Sequence, residues 1–135
     1  LDSALNIRII APVSSSYSDL NDYSAVLKID YKNVSFLFMG DAGLASERDL
    51  LNSGVSLKAN VLKIGHHGSS TSSSQLFLDA VSPQYAVICV GGNNRYGHPT
   101  DIILDRFSSL GINVFRTDKD GNIVISSDGN NVFVE

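Results

Sequence analysis

Two adjacent histidines, His66 and His67, stand in a chain of 135 residues that contains three histidines. They follow a short apolar segment, residues 61–64, and a glycine lies on each side of the pair. A buried strand ending here would deliver two imidazoles to the carboxyl edge of a sheet, where α/β folds collect their ligands. The arrangement predicts a metal or phosphate site at this strand end. One solvated ring beside one packed ring explains the pair equally well when it is considered alone.

A carboxylate follows a second apolar segment in the same manner. Asp41 comes directly after Gly40, at the end of residues 34–39. Zinc and harder divalent ions accept carboxylate oxygen together with imidazole nitrogen, and a carboxylate can bridge two ions. Asp41 is therefore a candidate bridging ligand. Taken alone, it is more often the N-cap of a helix, here over residues 42–53.

The third histidine, His98, lies in the sequence Tyr-Gly-His-Pro after a glycine-rich stretch, residues 91–95. A loop of that composition can fold its amides around an anion. Ser69 opens a serine-rich stretch that could contact phosphates at the start of a helix. By spacing alone, an ordinary solvated loop is the better interpretation of both segments. Neither of the two glycine-rich phosphate-binding fingerprints occurs in the chain.

Composition sets further limits. The net charge of −4 argues against a basic surface that binds nucleic acid by itself, although a bound metal ion could still bind phosphates. Cys89 is the single cysteine, so no disulfide forms within the chain, and its apolar neighbours predict a place in the core. No apolar run approaches the roughly 20 residues of a membrane span. We expect a soluble segment without membrane contact of its own, and its localisation stays open.

Strand and helix signals alternate along the chain and indicate how these residues are positioned. Ser46 is predicted to cap a helix that ends at Gly54, and residues 119–122 are predicted to form a hairpin turn. The pattern predicts one domain with a mixed α/β layer structure. The predicted strands are 5–10, 25–31, 34–39, 61–64, 85–90, 113–116, 122–126 and 131–134, and two further helices are predicted over 74–81 and from Pro99 to Gly111.

Five sequence blocks together resemble a known family. They read NDYS at 21–24, FMGD at 38–41, LKIGHHGS at 62–69, YGHP at 96–99 and RTD at 116–118. In order and wording they resemble the C-terminal half of a metallo-β-lactamase-fold domain, and in particular its ComEC-like branch of DNA-uptake competence proteins. The resemblance extends from about residue 19 to residue 125.

The resemblance implies an αββα sandwich, with a mixed sheet and flanking helices, and a two-metal site that hydrolyses a bond through a metal-activated water. Asp41 matches the bridging carboxylate, and the HHGS block matches a late histidine ligand, for which His66 is favoured and His67 is second. The implied metal is zinc or manganese, and the implied substrate is DNA. By placement, His98 and Arg116 would lie near the scissile phosphate, with Ser69 as a further substrate contact.

The chain departs from the family in one large respect. The motif HxHxDH, which supplies most of the metal ligands in the family, does not occur, and the NDYS block stands where many relatives have a further histidine. We therefore interpret residues 1–135 as the C-terminal part of a larger domain in which the two-ion site is completed. Two or three ligands should hold an ion weakly, because catalytic zinc keeps three protein ligands. This chain alone is expected to be inactive.

Three functions stay open at this point. The first is a metal-dependent nuclease that belongs to a longer bacterial protein that takes up DNA and that, as the resemblance implies, is anchored in a membrane. The second is a metal-free module that binds nucleic acid or a partner. The third is a hydrolase of a non-nucleic substrate, since a fold does not determine its substrate. Half of a sandwich would also leave a sheet face and strand edges uncovered, which favours self-association.

Overall fold

A six-stranded sheet and a separate two-stranded hairpin organise residues 2–135, the part of the chain that this computed structural model describes. Short 3-10 turns cover Leu20–Tyr23 and Gly65–Gly68. The strands are β1 (Leu5–Ala11), β2 (Val26–Tyr31), β3 (Val34–Phe38), β4 (Val61–Lys63), β5 (Tyr85–Ile88), β6 (Asn113–Arg116), β7 (Ile125–Ser127) and β8 (Val132–Val134). The helices are α1 (Leu44–Asn52), α2 (Gln75–Val81), α3 (Asp101–Ser109) and α4 (Thr117–Asp120).

The six-stranded sheet is mixed, and its strands follow one another in chain order. The pairs β1/β2 and β2/β3 are antiparallel, whereas β3, β4, β5 and β6 run parallel to one another. The parallel strands are connected by α1, α2 and α3, because a parallel connection needs a crossover. The predicted mixed α/β fold with a mixed sheet and flanking helices is confirmed.

The hydrophobic core lies between one face of this sheet and the three crossover helices. Successive crossovers of the same hand place their helices on the same side of a sheet. In α3, Ile103 and Phe107 are four residues apart and both are fully buried, which is the spacing of a single helix face. The core is built from Leu37, Leu62, Ala86 and Ile88 of the sheet and from Leu50, Phe77, Leu78, Val81, Ile103 and Phe107 of the helices.

The opposite face of the sheet is apolar and largely open. Ile9 is 70% exposed and Ile7 is 50% exposed, although both lie within β1. A cavity of about 290 Å³ lies on this side, where Ile123 and Ile125 approach the strands. The sheet is thus covered by helices on one face only. Within residues 2–135, no helix has the length and apolar character to cross a membrane.

Several predicted boundaries and caps are wrong. Helix α1 begins at Leu44, so Ser46 lies inside the helix as a buried residue and does not cap it. Asp41 does not cap it either, because the amides of Gly43 and Ser46 donate to the Asp22 carboxylate at 2.9 and 3.1 Å. The expected hairpin turn at residues 119–122 is replaced by the single helical turn α4, and the following strand begins later, at Ile125.

The prediction that Cys89 fills the core is also wrong, since this residue is exposed. Side chains alternate between the faces of a strand, and both Ala86 and Ile88 of β5 are fully buried. The next position therefore turns away from the helices. Apolar neighbours on both sides cannot distinguish a strand buried on two faces from one buried on a single face.

The Asp22 cap gives a first prediction. Replacing Asp22 by alanine should lower the free energy of unfolding by about 1–3 kcal/mol, because two buried amides at the start of α1 lose their acceptor. Urea unfolding followed by circular dichroism measures the loss. The control is Asp105→Ala on the exposed side of α3, expected to change stability by less than about 0.5 kcal/mol. Equal effects of the two substitutions would contradict the capping role.

The open sheet face gives a second prediction. The 135-residue chain should self-associate, because Ile7, Ile9 and Phe38 form a contiguous exposed apolar surface on this face of the sheet. Sedimentation velocity should show dimers or larger species, and Ile9→Lys should shift the distribution toward the monomer. The control is Leu20→Lys, at a position that is 86% exposed but outside the sheet. A monomeric wild-type chain would contradict the prediction.

Candidate functional site

The carboxyl ends of the parallel strands converge on a single edge of the sheet, and the predicted site residues follow them. Asp41 lies after β3, the histidine pair after β4, and His98 in the loop after β5. All four side chains line one cavity of about 360 Å³. Asn21 and Tyr96 complete its lining. The tertiary structure therefore brings together residues that are up to 77 positions apart in the chain (98 − 21).

His67 faces Asp41 at the centre of this cavity. The Nε2 atom of His67 lies 3.2 Å from Oδ1 of Asp41, and both side chains are more than two-fifths exposed. The other ring nitrogen, Nδ1, lies 2.6 Å from the carbonyl oxygen of Cys89. A carbonyl oxygen can only accept, so Nδ1 carries a hydrogen, and in the neutral ring Nε2 presents its lone pair to the carboxylate. Two acceptors at this distance require a proton or a cation between them.

His66 is placed differently. Its Nδ1 lies 3.3 Å from the Thr71 hydroxyl, and its Nε2 lies 3.5 Å from the side-chain amide of Asn21. Its ring meets the ring of His98 edge to face, with the centroids 5.8 Å apart. His66 thus lines the cavity beside His67, whereas the direct contact with Asp41 belongs to His67.

The backbone of the histidine pair is strained. His66 and His67 have φ values of 47° and 54°, in the left-handed region that side chains with a Cβ rarely adopt. Gly65 and Gly68 make this turn possible. A Cβ at Gly65 would collide with the Ala42 carbonyl oxygen, and one at Gly68 would lie 2.6 Å from the Pro99 ring. Strain of this kind persists where the surroundings enforce it, and it concentrates at functional sites.

Two hydrogen bonds position Asp41. Its amide donates to the Ser24 hydroxyl at 3.1 Å, and the Lys63 ammonium donates to the Gly40 carbonyl at 3.0 Å. Burial lowers the pKa of Lys63, and the nearby Cys89 and Asp41 oppose that change. Ser24 belongs to the NDYS block, and so do Asn21 beside His66 and the Asp22 cap of α1. This block therefore supports the site from the side opposite the strand ends.

A buried carboxylate anchors the loop that follows the histidines. Glu47 of α1 is 1% exposed and accepts from the amides of Ser73 and Ser74, the latter at 2.9 Å. Burial raises the pKa of Glu47, while these hydrogen bonds and the charge of Arg106 act in the opposite direction. Arg106 itself donates to the Ser73 carbonyl. Helices α1 and α3 thereby hold the far end of the HHGS loop.

His98 packs between two other rings. The Tyr96 ring lies on one side of it at a centroid distance of 6.0 Å, and His66 lies on another. Within residues 2–135, the buried Nδ1 atom of His98 has no hydrogen-bond partner. Burial lowers the pKa of His98, and the neighbouring His66 and His67 lower it further. Its imidazole is accordingly expected to be neutral at pH 7.

Two predicted substrate contacts do not reach the cavity. Ser69 is buried, and its hydroxyl lies 3.0 Å from that of Thr71 within the same loop. Arg116 forms a two-pronged hydrogen bond with Asp118, at 2.9 and 2.6 Å. Neither residue lines the space around Asp41 and the histidines.

Other residues that shape the site were missed. Thr117 clamps the β5 loop, because its hydroxyl accepts from the Val90 amide at 2.7 Å and donates to the Val90 carbonyl at 2.8 Å. The Asp22 cap and the exposed ring of Tyr96 were not singled out either. Tyr96 and Asp22 stand inside the YGHP and NDYS blocks, which was an available signal. Thr117 likewise stands inside the RTD block.

The fold and the edge-of-sheet site agree with a comparison against known families. Residues 17–92 match the model of the metallo-beta-lactamase superfamily. The matched segment contains the Asp41 and histidine-pair strand ends and more than half of the chain. The chain belongs to this superfamily.

Comparison with individual proteins agrees with the resemblance to competence proteins. The chain is 34% identical to ComE operon protein 3 of Bacillus subtilis over 88% of its own length. It is 39% identical to competence protein ComA of Neisseria gonorrhoeae over 87% of its length, and 32% identical to recombination protein 2 of Haemophilus influenzae over 76%. It spans 15%, 17% and 13% of these three proteins.

The surroundings of His98 give a third prediction. In an NMR titration its imidazole should have a midpoint below 6.5, and His66→Gln should raise that midpoint without restoring 6.5, because burial remains. Folding disfavours the protonated ring, so the stability that His98 contributes is complete above pH 6.5 and is lost as the pH falls through its lowered pKa. A midpoint at or above 6.5 would contradict the burial argument.

Proposed function

We propose that this chain contributes the C-terminal part of the metal site of a hydrolase that cleaves DNA phosphodiester bonds during DNA uptake. The observation that carries the proposal is the contact between His67 and Asp41, in which a ring nitrogen and a carboxylate oxygen approach within 3.2 Å. A divalent cation between these two groups would satisfy both. The names of two relatives, which refer to competence and to the ComE operon, support the connection with DNA uptake.

The chemistry of the donor set fits zinc or manganese. The hydrogen bond from Nδ1 of His67 to a backbone carbonyl is the outer-shell contact that typically orients a metal-binding histidine. We therefore assign His67 as the ligand opposite Asp41, in preference to His66. A bound ion would polarise the phosphate and supply a nucleophile at neutral pH. We propose that His98, as a neutral imidazole, donates a hydrogen bond to the scissile phosphate or the leaving group.

The site is incomplete within this chain. Among the described residues 2–135, no group of three or more His, Cys, Asp or Glu side chains is placed to hold a metal ion. A catalytic zinc ion normally keeps three protein ligands. We infer that the HxHxDH ligands of the superfamily are supplied by protein sequence outside these 135 residues, and that the open sheet face packs against the strands that carry them.

The incomplete set of metal ligands is also compatible with a second function. A module whose described residues bring no three donors close enough to hold a metal ion can bind nucleic acid or a partner without hydrolysis. The net charge of −4 weakens metal-free binding to phosphates, because like charges repel. In the nuclease proposal a metal cation lies between His67 and Asp41, whereas in the binding module a proton does.

The fourth prediction concerns cleavage. Labelled single-stranded DNA is incubated with Mn²⁺ or Zn²⁺ and either this chain or a longer form of the protein that includes an HxHxDH segment. Only the longer form should cut. In that form, Asp41→Ala and His67→Ala should each reduce the rate by more than the roughly 10- to 100-fold typical of an outer-shell substitution. His66→Ala should cost less than His67→Ala.

The matched control for this experiment is Asp105→Ala, which removes an exposed carboxylate from α3 and should leave the cleavage rate unchanged. Absence of cleavage by the longer form with both ions would reject the nuclease. If that form still binds single-stranded DNA in the presence of a chelator, the metal-free binding module replaces it. Cleavage of a phosphodiester other than DNA would keep the metal site and change the substrate.

A further inference from the structure

Tyr96 is a large aromatic residue in an unusually exposed position at the mouth of the site. Its side chain is 72% exposed, and it lines two adjoining cavities of about 360 Å³ each. One cavity contains Asp41 and the histidine pair, and the other extends over Val90 and Gly91. His67, Tyr96 and His98 line both cavities, so a ligand chain running from one into the other passes these three side chains.

The Tyr96 ring packs against His98, and the loop that carries both residues is fixed by hydrogen bonds. Tyr96 and His98 lie nearly parallel, with an interplanar angle of 20° and 6.0 Å between centroids. The Asn94 side chain closes the loop over residues 94–98, since it donates to the His98 carbonyl at 2.7 Å and accepts from the His98 amide at 2.9 Å. It also donates to the Gly91 carbonyl at 3.0 Å. One face of the tyrosine ring is thus backed by protein, as in a stacking platform.

A cation lies over the Tyr96 ring, from where its flexible, exposed side chain can turn toward a phosphate. The guanidinium carbon of Arg95 lies 5.9 Å from the centre of the Tyr96 ring, and the arginine side chain is exposed. Single-stranded nucleic acids are bound where aromatic rings stack on successive bases and basic side chains follow the phosphates. An adjacent tyrosine and arginine at the edge of a phosphodiesterase site offer both kinds of contact to one nucleotide.

We infer that Tyr96 stacks on an unpaired nucleobase next to the cleaved phosphate, and that Arg95 contacts the phosphate beside that base. The inference rests on the proposed function and extends it, because it names single-stranded nucleic acid as the form of substrate. In a duplex the faces of the bases are already covered by their neighbours, so a stacking platform discriminates against it. Stacking on a π-face is also tolerant of sequence.

Binding in the presence of EDTA tests the stacking separately from catalysis. The probes are a fluorescent oligothymidylate of about ten nucleotides and an abasic oligomer of equal length, which carries the same phosphates without bases. Fluorescence anisotropy with the 135-residue chain should show about tenfold tighter binding of the oligothymidylate. Tyr96→Ala should remove that difference and leave the affinity for the abasic oligomer unchanged, whereas Tyr96→Phe should retain it.

Two controls separate stacking from charge and from general loss of structure. Arg95→Ala should weaken binding of both oligomers by the same factor and reduce the salt dependence, because it removes a phosphate contact. Phe133→Ala changes an aromatic residue that is 48% exposed on β8 and lines neither cavity, and it should change nothing. Equal affinity of the wild-type chain for the two oligomers, absence of binding, or equal losses for both with Tyr96→Ala would overturn the inference.

The outcome of the binding experiment is independent of the outcome of the cleavage experiment. Base-dependent binding without cleavage by the longer form would keep the stacking role and reject hydrolysis. Cleavage without base-dependent binding would keep the hydrolase and reject Tyr96 as a platform.

Discussion

The parallel pairing of β3, β4, β5 and β6 is the constraint on which the rest of the structure depends. It brings the carboxyl ends of these strands to one edge of the sheet, so that Asp41, the histidine pair and the His98 loop meet although they are distant in the chain. The same pairing requires three crossovers, and within residues 2–135 their helices cover one face of the sheet. Core and site are therefore two consequences of one topology.

Two buried carboxylates hold the loops around the site in place. Asp22 accepts from amides at the start of α1, and Glu47 of the same helix accepts from amides in the loop beyond the histidines. Each carboxylate satisfies donors that would otherwise be buried without partners, at a cost of about 1–3 kcal/mol for each unsatisfied group. Together they fix the loops on both sides of the strained turn at His66 and His67. The turn can then keep a conformation that the isolated segment would not adopt.

The open sheet face and the short set of converging donors are connected. In the proposed function, both would be completed by strands carrying the HxHxDH ligands of the superfamily. The exposed ring of Tyr96 lines the same cavity and, in our proposal, would add an affinity for bases to a centre that binds phosphates. Metal, phosphate and base would thus be bound by adjacent loops of a single sheet edge.

The sequence by itself determined the order of strands and helices, the mixed α/β class, the superfamily and the candidate ligands Asp41, His66, His67 and His98. These follow from local periodicity and from short blocks whose residues are close in the chain. The tertiary structure alone decided that His67 faces Asp41, that Arg116 is paired with Asp118, that Cys89 is exposed, and that Asp22 caps α1. Each of these depends on which face a side chain takes and on partners that can be more than 20 residues away. Periodicity carries no information about such contacts, because they are set by the packing of whole elements against one another.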